Sequence, residues 1–281
     1  MDMSHSLVEI ERSDWAQLRD LYVHKRTESV GYQCLKNFIS WIDQEPSESI
    51  KLLSLDGDWK TDGTFIIVAN IGGCLKHVYF NTLTENLERL KIALNCLEGK
   101  SGDYLLFGYS AHLIPALENF AKRLTGKPLL PGEQEETVWY HASKKLVDSF
   151  TINVPEGIKL ADLVIENAEQ INEIWPHRAP GSVDFVRRLI LYNVSVGAFD
   201  GAGNLIAWCL RLPLGSLGLL HVTDGQKRKG LGSLLVRYMS KKLAELGDEA
   251  LAPVVVKNVA SRSMFEKLGF RQIDSVYWSA V

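Results

Sequence analysis

Between positions 217 and 246 the chain switches hydrophobic period in mid-course. The β-rich run Leu217-Gly218-Leu219-Leu220-His221-Val222 leads through Thr223-Asp224-Gly225-Gln226 into Lys227-Arg228-Lys229-Gly230-Leu231-Gly232-Ser233. From there apolar residues recur at helical spacing, at Leu231, Leu234, Leu235, Tyr238, Met239, Leu243 and Leu246, with Gly247 placed to cap the end. A strand that passes through a tight turn straight into an amphipathic helix places the chain among α/β architectures.

The turn is an anion site by construction. The first N–H groups of a helix have no partner inside it and lie at the positive end of its dipole. Gly230 and Gly232 keep side chains away from those donors, and Lys227, Arg228 and Lys229 add positive charge. Two familiar phosphate loops do not fit. Counting from Gly225, Leu231 stands where a Walker loop requires its lysine, and Gly230 and Gly232 lack the third glycine of a Rossmann fingerprint. Taken alone, the basic run also fits a solvated surface patch.

Other segments alternate between the two periods. Apolar residues at helical spacing over 15–41 predict two helices that part near Gly31. Strands are predicted over 50–55, 64–69 and 75–80, then a helix over 84–97 with Thr84 as its N-cap, a strand over 104–107 and a helix over 113–124. The stretch 125–136, with Gly126, Pro128, Pro131 and Gly132, reads as an exposed connection, and a strand over 137–141 closes the first half. The order then restarts: strand 158–163, helices 168–175 and 183–192, strands 194–199, 205–210 and 217–222, helix 231–246, strand 252–256, a helix to 268 and strand 276–278. One architecture used twice, over 1–148 and 149–281, is the expectation.

At 281 residues and 46% hydrophobic composition, the chain is long enough for two ordinary cores. A net charge of -3 provides no global field for nucleic acid or an anionic membrane, so an anion site has to be local. The four cysteines (Cys34, Cys74, Cys96, Cys209) have no paired or metal-binding spacing, which predicts reduced thiols and no metal. The start, Met1-Asp2-Met3-Ser4-His5-Ser6, lacks signal-peptide and presequence patterns, and the longest apolar stretch, 65–75, is broken by Asn70, Gly72 and Gly73. A cytoplasmic location is the expectation.

The strand Pro253-Val254-Val255-Val256 runs into Lys257-Asn258-Val259-Ala260-Ser261-Arg262-Ser263-Met264-Phe265-Glu266-Lys267-Leu268-Gly269-Phe270. Paired with the loop at 227–232, this segment resembles the GNAT acyltransferase superfamily. That family's acetyl-coenzyme A loop has the form Gln/Arg-x-x-Gly-x-Gly/Ala, and its next strand ends in Asn before a helix closing with Leu-Gly-Phe. Here Lys227 stands in the first loop position. Over 155–281, Trp175, Phe185-Val186-Arg187-Arg188, the turn Asp200-Gly201-Ala202-Gly203-Asn204 and Trp208 resemble the glycine N-acyltransferase-like branch.

The resemblance implies an α/β fold with a mixed α+β sheet: a GNAT fold in the C-terminal half and a degenerate second copy in the N-terminal half. The N-terminal copy has no cofactor loop, because Asn81-Thr82-Leu83-Thr84-Glu85-Asn86 is neither basic nor glycine-bearing. Its expected roles are packing and walling the acceptor cleft. The co-substrate implied is acetyl-CoA or another acyl-CoA, held by Leu220, Val222, Thr223, Lys227, Arg228, Lys229, Gly230, Leu231, Gly232, Ser233, Asn258, Ser261 and Phe265. A backbone N–H near Val222 would polarise the thioester carbonyl. Asn258 equally fits a helix cap.

Transfer by direct attack of an amine needs a proton acceptor. The family's glutamate falls on Ser216 and its tyrosine on Phe265, and neither replacement does the same work. His221 is one candidate base. Water ordered by Ser216, Tyr277 or Asn258 is another, and Arg187 and Arg188 are candidates for holding an acceptor carboxylate. Three functions follow: an N-acyltransferase acting on a small amine such as glycine or another amino acid, a protein N-acetyltransferase, or a coenzyme A-binding module with little catalysis.

Overall fold

The computed structural model describes residues 5–129 and 134–281. The expectations placed on positions 1–4 and on Pro131 and Gly132 lie outside the described residues. The chain divides into two compact units: one runs to Thr137 and takes in Asp274–Val281, and the other is Val138–Ile273.

The first unit holds β1 (Leu7–Glu9), α1 (Trp15–Leu21), α2 (Tyr32–Gln44), β2 (Ile50–Leu55), β3 (Phe65–Ala69), β4 (Lys76–Asn81), α3 (Glu88–Asn95), β5 (Tyr104–Ser110), α4 (Ile114–Thr125) and the start of β6 (Glu135–Ala142). β1 to β4 are antiparallel neighbours, and β4 pairs in parallel with β5. Phe65, Ile66, Ile67 and Ala69 are all fully buried. Strand β3 is therefore covered on both faces, which is why its apolar run does not alternate. Leu90 and Leu94 of α3 and Leu117 and Phe120 of α4 share one core with Ile66, Val78 and Phe80. The predicted start of α3 at Thr84 is corrected to Glu88. Thr84 Oγ1 accepts from the Asn86 N–H (3.2 Å) and Asn86 Oδ1 from the Glu88 N–H (3.0 Å), and these local turns hold off the helix.

The second unit continues with α5 (Lys144–Asp148), β7 (Lys159–Ala161), α6 (Ala168–Ile174), α7 (Ser182–Tyr192), β8 (Ser195–Phe199), β9 (Leu205–Arg211), β10 (Leu217–Val222), α8 (Leu231–Glu245), β11 (Ala250–Val255), α9 (Val259–Lys267) and β12 (Arg271–Ala280). Strands β10, β9, β8 and β7 form an antiparallel sheet in that spatial order. Leu231, Leu234, Leu235, Met239 and Leu243 of α8 are buried in one cluster with Val196, Ala207, Cys209 and Val254. The helix stops at Glu245, and Gly247 (φ 71) caps it two residues on as expected, with the Asp248 N–H reaching back to Leu243 O (2.9 Å). Leu246, predicted on the apolar stripe, is instead 47% exposed, because the helix has already ended at Glu245.

From β1 and from β7 onward the two copies run through one order: strand, two helices, three strands, helix, strand, helix, strand. The division between units falls inside β6, not at 148/149. Its physical reason is that α5 packs on α8, and Leu146 lies where a Cβ on Gly269 would meet it at 3.1 Å, so 138–148 belong with the second unit. The end of the chain goes the other way. Within the first unit, Val276 pairs with Ser110, Tyr277 with Tyr109 and Trp278 with Phe107, and Thr137 Oγ1 donates to Val276 O (2.9 Å). No helix among the described residues is long and apolar enough to cross a membrane.

Candidate coenzyme A site

Strand β10 is the outer strand of its sheet. β11 lies beside it but is not a strand of this sheet. The Thr223 N–H donates to Ile206 O (2.9 Å) and His221 sits opposite Trp208. In an antiparallel ladder alternate residues point their amides to opposite sides, so the N–H and C=O of Val222 face away from β9 into the gap beside β11. The expectation for Val222 thus has a geometric basis. That for Thr223 is corrected: its N–H is committed to Ile206, and its carbonyl accepts from the Gln226 N–H (2.9 Å). A bulge between Gly218 and His221 bends β10, with Leu219 at φ 47 and Leu220 half-buried within it. A leucine in this left-handed region costs about 1–2 kcal/mol and is held there by the flanking ladder.

Beyond Thr223 a 3-10 turn, Asp224–Gln226, carries the chain into the basic loop. Arg228 (φ 62) and Gly230 (φ 82) both adopt left-handed backbone, and the first bond of α8 runs from the Leu234 N–H to Gly230 O (3.0 Å). The amides of Leu231, Gly232 and Ser233 therefore precede the helical ladder and point at the loop. The side chain of Leu231 is in the core, and Ser233 is half-buried in the first turn. The two glycines serve different needs. At Gly230 nothing lies within 4 Å of a Cβ, so the backbone angle is the requirement; at Gly232 a Cβ would meet Met264 Sδ at 3.2 Å. Lys227 Nζ lies 2.5 Å from Asp224 Oδ1, and Lys229 Nζ donates to Gln226 Oε1 (2.9 Å). Unpaired helix amides, an open Gly230 and three exposed cations fit a pyrophosphate-bearing group.

The imidazole of His221 stacks on Trp208, 4.8 Å between centroids and 27° between planes. Its pKa lies below the usual histidine value, first through partial burial and then through Lys227, with Asp224 opposing. The ring is neutral at pH 7 and able to accept a proton.

Two other expectations change, those for Ser216 and Phe265. Ser216 is fully buried in the β9–β10 hairpin; its carbonyl accepts from the Leu212 N–H (2.8 Å) and its Oγ has no hydrogen-bond partner. It has no route to order bulk water. Phe265 is 3% exposed, stacked on Tyr140 (5.8 Å) and edge-on to Phe270 (5.0 Å), so it fills the core and its neighbour Met264 approaches α8. Asn258 Oδ1 accepts from the Ser261 N–H (3.1 Å), so Asn258 caps α9 and the Ser261 amide is occupied. Tyr277 belongs to the first unit, where it stacks on Tyr109 (6.0 Å).

The paired arginines of α7 separate. Arg187 is bound by Asp184 (2.7 Å) and by Glu169 of α6, whereas Arg188 is half-buried with no ion pair among the described residues. Two residues that the sequence does not single out for the site stand beside it, Trp208 against His221 and Asp224 against Lys227. At the matching place in the first unit, a cleft of about 570 Å3 is lined by Lys60, Asp62, Thr84, Asn86 and Arg89. There Asn86 caps the Glu88 amide, and Arg89 is held by Asp62 (3.1 Å).

Residues 195–279 match the family model described as FR47-like protein. No curated protein matches the chain. An X-ray structure of a Drosophila protein superposes with a TM-score of 0.84 at 20% identity, covering 97% of each chain. A tandem GNAT protein from the clavulanic acid biosynthesis pathway superposes at 0.55 with 14% identity, covering 98% of each. A putative acetyltransferase from Pyrococcus horikoshii gives 0.59 at 10% identity, covering 99% of this chain and 89% of the other. The chain is thus built from two copies of the GNAT fold, and the FR47-like match falls on the second copy, across β10 and the loop.

Proposed function

We propose that the second unit is an acyl-coenzyme A-dependent N-acyltransferase acting on a small amine, with glycine or another amino acid as the acceptor class. The observation that carries this reading is the junction of β10 and α8, where free helix amides and three cations stand at the end of an open strand edge. Bound there, acyl-coenzyme A supplies the activated thioester. The chain supplies position and proton transfer. The loop amides and Lys227, Arg228 and Lys229 take the pyrophosphate, and the edge of β10 aligns the arm. The Val222 N–H then meets the thioester oxygen. Neutral His221, fixed against Trp208, takes the proton of the attacking amine. Arg188, free of the ion pairs that occupy Arg187, is assigned to an acceptor carboxylate.

A second reading, coenzyme A binding with little turnover, draws on the burial of Ser216 and Phe265 where the family keeps a base and an acid. Thiol release from acetyl-CoA against a panel of amino acids, amines and peptides separates them. Turnover on amino acids that weakens in KM on Arg188→Gln supports the first, turnover on peptides alone replaces it with a protein acetyltransferase, and binding without turnover favours the second.

A further inference from the structure

Resting on the reading of the loop as a coenzyme A site, a further inference concerns Asp224. His221, Asp224 and Lys227 are spaced three residues apart across the end of β10 and the 3-10 turn that follows. Lys227 Nζ is 2.5 Å from Asp224 Oδ1, so the carboxylate already occupies one of the three cations placed for a pyrophosphate. One ammonium does not serve two anions at full strength. On its other side, His221 lies against the uncharged ring of Trp208 from β9, and the charges acting on it are those of Lys227 and Asp224.

We propose that Asp224 is a coupling residue: without ligand it neutralises Lys227, and when a pyrophosphate takes Lys227 over, Asp224 turns its charge toward His221. Two changes then act on the imidazole in one direction. The phosphate offsets the positive charge of Lys227, and the released carboxylate favours the protonated ring. The proton acceptor is strengthened when the acyl donor is in place. Both partners of the pair are exposed, at 54% and 94%, so the coupling weakens with added salt.

The test follows the His221 ring by NMR through a pH titration of the full chain, with and without coenzyme A, in wild type and Asp224→Asn. Coenzyme A is expected to raise the wild-type midpoint by about half a pH unit. In Asp224→Asn the rise falls to less than half of that, and coenzyme A binds at least as tightly because the competing anion is gone. Lys227→Gln raises the midpoint before any ligand is added. A midpoint that coenzyme A leaves unmoved, or moves equally in Asp224→Asn, overturns the coupling while leaving the site intact. No binding of coenzyme A to wild type overturns the site and the coupling with it.

Discussion

The ring of His221 lies nearly parallel to the indole of Trp208, 4.8 Å from it, at the point where β10 leaves its bulge. An imidazole held this way keeps one orientation toward the strand edge that Val222 faces. It also has a basic form available below neutral pH, because partial burial and Lys227 hold its pKa under the usual value.

The pH dependence follows in sign from that depression. The rate should fall as acid protonates the ring, along an acid limb that His221 sets. His221→Asn should lower kcat by about a hundredfold and remove that limb. A steady-state pH profile of both proteins checks it, and an unchanged limb in the variant would assign the proton acceptor elsewhere.

Gly230 should prove a backbone requirement and not a spatial one. Its Cβ position is open, but φ is 82°. Gly230→Ala is expected to cost about 1 kcal/mol of stability, and Gly230→Asn less, since asparagine tolerates left-handed backbone. Urea midpoints of the two variants decide; equal losses would point to crowding instead.

Arg211 and Asp248 form a buried ion pair at 2.9 Å, with side chains 8% and 0% exposed. Burial alone would disfavour the guanidinium charge, and Asp248 offsets that. Asp248→Ala should cost about 3–5 kcal/mol by leaving the cation uncompensated, while joint replacement by Met and Leu should restore most of the loss. Thermal denaturation of the single and double variants measures both.

In the first unit, burial pushes His77 down to about 4 against the stacked ring of Phe107, 5.0 Å away. The unfolded chain takes up this proton near pH 6.5 and the folded chain does not until about 4. Stability is therefore whole above pH 6.5 and is lost as pH falls, by about 3 kcal/mol at pH 4. His77→Phe should flatten the change in urea midpoint between pH 7 and pH 5. A slope equal to that of wild type would locate the acid sensitivity at other groups.

Sequence periodicity located both copies of the architecture, since the elements that bury one face write that face into the chain, as in β10 and α8. The three-residue β1 was too short to show a period, and α3 was drawn long because Thr84 and Asn86 take backbone bonds in turns. Strand partners left no mark: alternation in β12 says which face is buried, not that Tyr277 pairs with Tyr109. In the site, the loop was legible because glycines and cations are local signals. The burial of Ser216 and Phe265 was not, since a position in a motif says nothing about what packs over it.

Whether the β10–α8 junction holds coenzyme A is open to direct measurement. Isothermal calorimetry of the full chain with coenzyme A tests it, repeated on Lys227→Glu/Lys229→Glu and on Lys60→Glu in the first-unit cleft. One site per chain is expected, weakened at least tenfold by the loop double variant and unaffected by Lys60→Glu. No binding, or binding that survives the loop variant and is lost with Lys60→Glu, would contradict it.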